Sequence, residues 1–142
     1  MRTNALIFAL ALMACAAQDR PHVSSQPNAP ASLANPASVN CAKQGGTLFI
    51  QRRGDGGEYG VCRFAADKAC EEWALLRGTC PAGGRAIPPA MAPAAQYCVL
   101  AGGEYTPPVP ASVDAERGRC LFRNGSTCEA GAYWNGICAP AP

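Results

Sequence analysis

Apolar residues fall along this chain in one continuous run and afterwards only in short, punctuated segments. The run is Ala5 to Met13 (ALIFALALM), preceded by the single positive charge of Arg2. It is far shorter than the ~20 apolar residues a membrane-spanning helix needs, so it reads as the core of an export signal. Residues 15–34 (CAAQDRPHVSSQPNAPASLA) carry no apolar period and predict a disordered tether.

From residue 35 the pattern changes. Asn35-Pro36 is a good cap followed by a good first helical residue, predicting a short helix from about Pro36 to Gln44. Gly45-Gly46 ends it, with Gly45 suited to the left-handed position after the cap. Thr47 to Arg52 (TLFIQR) is β-branched and aromatic and predicts a strand. Gly54 to Gly57 predicts a turn, and Glu58 to Phe64 the return strand of a hairpin. After a second turn at Ala65 to Ala69, Cys70 to Arg77 (CEEWALLR) fits a strand or a short helix. Glu71, Glu72, Ala74 and the two leucines favour the helix, and Gly78 ends it. Residues 82–95 read as an Ala/Pro/Gly linker.

The cysteines show that this plan occurs twice. Cys41, Cys62, Cys70 and Cys80 are separated by 21, 8 and 10 positions, and Cys98, Cys120, Cys128 and Cys138 by 22, 8 and 10. Self-similarity at a fixed period marks a duplicated module. The expected organisation is a signal over 1–14, the tether over 15–34, modules over 35–81 and 96–139, and the linker between them. Gly118, Phe122, Glu129, Ala132 and Gly136 repeat Gly60, Phe64, Glu71, Ala74 and Gly78, and Asn124-Gly125 marks a turn. The copies differ in the hairpin, where Thr106 to Ala111 (TPPVPA) carries three prolines that suit an edge or a loop. The fold class expected is α+β: two small disulfide-rich modules, each a short helix, a β-hairpin and a short C-terminal helix or strand.

Composition explains why cysteines are needed. Much of the 49% hydrophobic fraction is alanine, and Gly and Pro number 15 and 13. A module of ~45 such residues buries too little apolar area to offset its chain entropy comfortably. A native disulfide in so small a domain contributes ~2–5 kcal/mol, and export supplies the oxidising compartment it requires. Metal or redox chemistry would call for closely spaced pairs such as Cys-x-x-Cys, which do not occur. Four cysteines allow three pairings per module. Sequence alone does not choose among them; a local bond of Cys62 with Cys70 across the second turn, leaving Cys41 with Cys80, is the arrangement leaned to here.

Cys15 stands apart. Leu12-Met13-Ala14-Cys15 has the apolar and small residues of a lipobox, making Cys15 the expected lipidation site and the new N-terminus. The alternative is an ordinary secretory signal cut at Ala16 or Ala17. Lipidation leaves an even number of cysteines for disulfides, and removal of the signal lowers the formal net charge of +2 by one, through Arg2. Such a balance marks no nucleic-acid surface. Ala16, rather than aspartate, after the lipidated cysteine is the pattern of lipoproteins sent to the outer membrane.

NPASVNCAKQGG, GGEYGVCRF and CEEWALLRGTC, in that order, resemble the small bacterial domain catalogued as domain of unknown function 333. The resemblance covers 35–80 closely and 96–138 more loosely. It implies a short envelope lipoprotein, in a family where some members bear a haemolysin label. The second copy lacks the Asn-Pro opening and has Glu129-Ala130-Gly131-Ala132 in place of Glu71-Glu72-Trp73-Ala74.

Catalysis finds little footing in these residues. The one histidine, His22, lies in the tether, away from any ordered partner. Glu71, Glu72 and Glu129 read as solvated or dipole-favoured residues at helix starts. Tyr59, Trp73, Tyr133 and Trp134 serve either a thin core or an interface. Arg52-Arg53 reads as a solubility feature. No catalytic residue, metal site or cofactor is therefore expected. The expectation is a non-enzymatic binding or structural protein of the envelope, held at the membrane by Cys15 and meeting a protein or glycan there. A haemolysin-like membrane-active protein and a small protease inhibitor, using the Gly54–Gly57 turn, are the alternatives.

Overall fold

The computed structural model describes residues 34–110 and 114–141; the signal, Cys15, His22 and nearly all of the tether lie outside the described residues. The first module opens with α1 (Pro36–Lys43), capped by the Asn35 side chain, which accepts from the Ala37 amide at 2.9 Å. β1 (Thr47–Arg52) and β2 (Glu58–Arg63) form the expected hairpin. The chain then departs from expectation. Lys68–Glu71 is a strand, β3, and only Glu72–Leu76 is helix, α2. The register against β2 decides this, since Val61, Cys62 and Arg63 pair with Glu71, Cys70 and Ala69. Arg85–Ala86, inside the expected linker, adds a short β4 to complete a sheet of order β1-β2-β3-β4.

The second module starts earlier than 96. Its helix α3 (Pro93–Leu100) places Pro93 and Ala92 where the first copy has Pro36 and Asn35. β5 (Glu104–Thr106) stops where the prolines begin, and a 3₁₀ turn at Ala115–Arg117 leads into β6 (Arg119–Leu121) and β7 (Thr127–Glu129). The sheet order is β5-β6-β7, and α4 (Ala130–Trp134) closes the module.

The disulfides join Cys41 to Cys62, Cys70 to Cys80, Cys98 to Cys120 and Cys128 to Cys138. This corrects the expected pairing of Cys62 with Cys70. Those two residues do face each other across β2 and β3. Their side chains therefore stand side by side off one face of the sheet. Each sulfur is met by a partner arriving over that face, Cys41 from α1 and Cys80 from the segment after α2. The Cα–Cα spans are 5.6 and 5.9 Å in the first module and 5.7 and 5.9 Å in the second, within the ordinary range for a disulfide. Four such bonds mark a protein of an oxidising, extracytoplasmic compartment.

The paired glycines now have separate reasons. Gly45 and Gly102 hold φ of 77° and 89° at the ends of α1 and α3. Gly46 and Gly103 lie against the helix-to-strand disulfides, where a Cβ would collide with Cys62 Sγ or come within 2.6 Å of Cys120 Sγ.

Both modules belong to one compact unit, and their contact is asymmetric. One face of the first sheet (Leu48, Cys62, Cys70) packs on α1 and α2 with Ala74, Leu75 and Cys80. The opposite face (Tyr59, Val61, Ala69) receives Leu100 of α3. The first sheet is thus covered on both sides, by its own helices and by a helix of the second module. In the second module the positions matching Tyr59, Val61 and Ala69 are Arg117, Arg119 and Thr127, all exposed. The positions on α1 matching Tyr97 and Leu100 are Asn40 and Lys43. The two copies have diverged at the surfaces where they meet, as in stacked repeats whose terminal units keep a polar outer face.

Candidate functional site

The joint between modules gathers most of the residues singled out in the sequence. Tyr59 on β2, Glu71 at the end of β3, Trp73 on α2 and Arg77 after it come from the first module, with Arg53 from the hairpin turn. Tyr97 on α3 and Tyr133 on α4 come from the second. Together they line a cleft of about 330 Å³.

Tyr97, only 7% exposed, is the centre of the aromatic packing. Its ring lies 5.0 Å from Tyr59, 4.8 Å from Tyr133 and 5.4 Å from Trp134, while Tyr133 stacks edge-on to Phe122 at 4.9 Å. Such pairs contribute ~0.5–1.5 kcal/mol each beyond the area they bury. The Tyr59 hydroxyl donates to Gln51 Oε1 at 2.7 Å. Burial, and then the neighbouring Tyr97, push the Tyr59 phenol up to about 12. Tyr133 is raised for the same reasons. Both are therefore protonated phenols at neutral pH, and the one proton of Tyr59 is already given to Gln51.

Of the three glutamates expected to be solvated or dipole-favoured at helix starts, Glu129 is solvated and Glu71 caps its helix, but Glu71 and Glu72 are buried. Glu71 and Glu72 are 8% and 5% exposed. Glu71 caps α2, its two oxygens accepting from the amides of Trp73 at 3.0 Å and Ala74 at 2.7 Å, with Arg77 Nη2 at 3.9 Å. Burial outweighs these partners and raises the Glu71 carboxyl above its usual value. Glu72 turns the other way, towards α1, accepting from Asn35 Nδ2 at 3.0 Å and Ser38 Oγ at 2.7 Å. A buried carboxylate is tolerable only with such partners. The second module replaces all three members of this network by Ala92, Ala95 and Ala130, and leaves Glu129 exposed. A buried polar network is present complete in one copy and absent as a whole from the other.

Arg53 sits between Asp55, at 2.8 Å, and Tyr97. Partial burial opposes its charge, but contact with Tyr97 and Asp55 more than compensates and raises its pKa. It is part of the joint rather than the solubility feature expected. The same turn carries Gly54, where any Cβ would overlap the Trp134 indole and the Asn135 side chain. Two hydrogen bonds flank the joint, from Arg85 Nη1 to the Gly103 carbonyl at 2.7 Å and from Arg123 Nη1 to the Gly78 carbonyl at 3.2 Å.

Trp73 stands 39% exposed at the cleft. Trp134 does not align with it and serves the joint instead. Sequence reasoning missed Tyr97 and Leu100, which lie just after the expected linker, at the start of the second module. The signal for them was their replacement by Asn40 and Lys43 in the other copy. Among the described residues, no group of three His, Cys, Asp or Glu side chains could hold a metal, and no helix is long and apolar enough to cross a membrane.

The chain matches the family described as "Domain of unknown function (DUF333)" twice, over residues 32–79 and 90–137. It is similar to the uncharacterized protein YdbJ of Escherichia coli K12, with 35% identity over 75 residues, covering 51% of this chain and 85% of the relative. The uncharacterized protein YoaF of the same strain is 35% identical over 74 residues, covering 52% and 84%. A YoaF from Shigella flexneri matches to the same extent. No solved structure matches the chain.

Proposed function

We propose, from the premise that this chain belongs to the DUF333 family and carries two copies of its domain, that it is a non-enzymatic binding module of the cell envelope. In this reading Cys15 is the lipid anchor, in the outer membrane. The cleft between modules is the surface presented to a glycan or protein of the envelope.

One observation carries the reading. Of the three carboxylates lining the cleft, Glu58 is exposed and paired with Arg52 at 3.2 Å, and the two buried ones are committed to structural bonds, Glu71 to two backbone amides and Glu72 to Asn35 and Ser38. Neither is free to pass a proton to a substrate without loosening a helix. What the cleft offers instead is the guanidinium donors of Arg53 and Arg77 beside the exposed Trp73 indole, a set suited to holding a polar ligand.

The test uses Trp73 as the reporter. Titration with soluble amino-sugar oligosaccharides and with envelope-derived peptides should change its fluorescence saturably, and Trp73→Phe should remove the signal. No saturable change with either class would end the binding reading. An intact mass of membrane-extracted protein, lacking a lipid adduct on Cys15, would end the anchor.

The alternatives draw less support. A protease-inhibitor loop must protrude, whereas the Gly54–Gly57 turn is held at Gly54 against Trp134 and Asn135 and is open only at its tip, Gly56. Membrane lysis would need release of vesicle dye by the purified protein.

A further inference from the structure

A second cleft, of about 360 Å³, opens elsewhere on the joint, where the segment after β4 passes over the outer face of the first sheet. Its floor is apolar. Val61, Ala69 and Leu100 form a buried cluster there, with Ile87 packed against it and Phe64 and Pro89 completing the walls. Its rim is charged. Arg63 and Lys68 are exposed and, among the described residues, neither is within salt-bridge distance of an acid. Asp67 is the one opposing charge at the rim, also without an ion-pair partner there. The Arg63 guanidinium lies 4.8 Å above the Phe49 ring, which holds it beside the opening.

The backbone at this rim is held in a costly form. Ala66 and Asp67 both adopt positive φ, 58° and 54°. The matching turn of the second module uses Asn124-Gly125, with the positive φ of 84° on glycine and the Asn124 side chain accepting from the Ser126 amide. The first copy keeps two strained non-glycine residues instead. The amide of Ile87 donates to the Asp67 carbonyl at 3.2 Å, tying that turn to the segment covering the cleft. The second module has no such floor, because Arg119 and Thr127 stand in place of Val61 and Ala69.

We propose that this cleft binds a single-chain anionic amphiphile, with its apolar chain along Phe64, Ile87 and Pro89 above the buried Val61 and Leu100, and its headgroup between Arg63 and Lys68. The volume lies near the lower end of the ~300–1,000 Å³ of small-ligand sites, which suits one short chain rather than a two-chain lipid. The rim supplies two cations against one acid, so a neutral head of the same length gains less from it.

The experiment titrates the full chain with decanoate below its micellar concentration and follows the amide and methyl NMR signals of the floor. Saturable shifts at Val61, Ile87 and Leu100 are expected. Decyl maltoside should bind about tenfold more weakly, as should decanoate to the Arg63→Gln/Lys68→Gln variant, the scale of losing a charge-assisted contact. Both substitutions are at exposed positions, and an unchanged melting temperature would show the variant folded. If the double variant is unfolded, weakening of decanoate binding by added salt gives the same test in the native chain. Absence of floor shifts, equal binding of the neutral amphiphile, salt-independent binding, or binding only to phosphatidylglycerol vesicles would each overturn the proposal.

Discussion

Replacing Leu100 by alanine tests whether the two modules share a core. Leu100 is 2% exposed, and although it ends a helix of the second module, the buried residues around it are Val61 and Ala69 of the first. A buried Leu→Ala substitution removes transfer free energy and leaves a cavity, at a cost of ~2–5 kcal/mol. The adjoining cleft lets neighbours and water relax into the space, which favours the lower end, about 2–3 kcal/mol. With ~1 kcal/mol moving the melting point of a domain of about this size by ~4–8 °C, calorimetry of the oxidised protein should show a fall of roughly 10–20 °C. Hydrogen exchange should accelerate at the β2 amides of the first module as well as in α3. The control is Lys43→Leu at the matching, exposed position of α1, with an expected change within ~0.5 kcal/mol. A fall of less than ~3 °C, or faster exchange confined to residues 98–138, would refute the shared core and return the modules to independent beads.

Glu72→Ala should destabilise by about 1–3 kcal/mol, because Asn35 and Ser38 lose their buried acceptor. Adding Ser38→Ala should recover part of that loss in denaturant titrations, whereas Asn35→Ala should not, because it also removes the cap of α1 at a cost of ~0.5–2 kcal/mol. Glu71 has a folded pKa above its unfolded value, so its contribution to stability is fully present below the usual glutamate range. It is lost as the pH rises through the raised value. Melting points across that window should therefore fall with rising pH, and Glu71→Gln should flatten the slope. Gly46→Ala should displace the Cys41–Cys62 bridge and lower the melting point, while Gly56→Ala, with open space around its Cβ, should register only the cost of its positive φ of 83°. Non-reducing peptide mapping should recover the pairs 41–62, 70–80, 98–120 and 128–138.

Local chemistry made part of this fold legible. Asn35-Pro36, Gly45 and the β-branched hairpin carry strong start, stop and strand signals, and α1, β1 and β2 lie close to where those signals put them. β3 was not legible, because Lys68 to Glu71 has little strand propensity and is extended only through its register with β2. The disulfide pairing was hidden for the same reason, as it depends on which face of the sheet each cysteine shares with a helix. The burial of Glu72 was not legible because it depends on partners 34 and 37 positions away. The start of α3 was available from the repeat itself, since Pro93 falls where Pro36 does, but alanine and proline around it imitate a linker.

The uneven joint also bears on how such a chain can grow. A freshly duplicated module would have two identical copies, each with the same outer sheet face and the same outer helix face. Here the outer sheet face of the first copy is apolar and its outer helix face polar, while in the second copy the two are reversed. The pair is therefore directional, with one socket and one plug already joined. A third copy of either kind would meet only Arg117, Arg119 and Thr127 at one end, or Asn40 and Lys43 at the other. Two is the length at which this particular array closes, and lengthening it would require a new socket rather than another repeat.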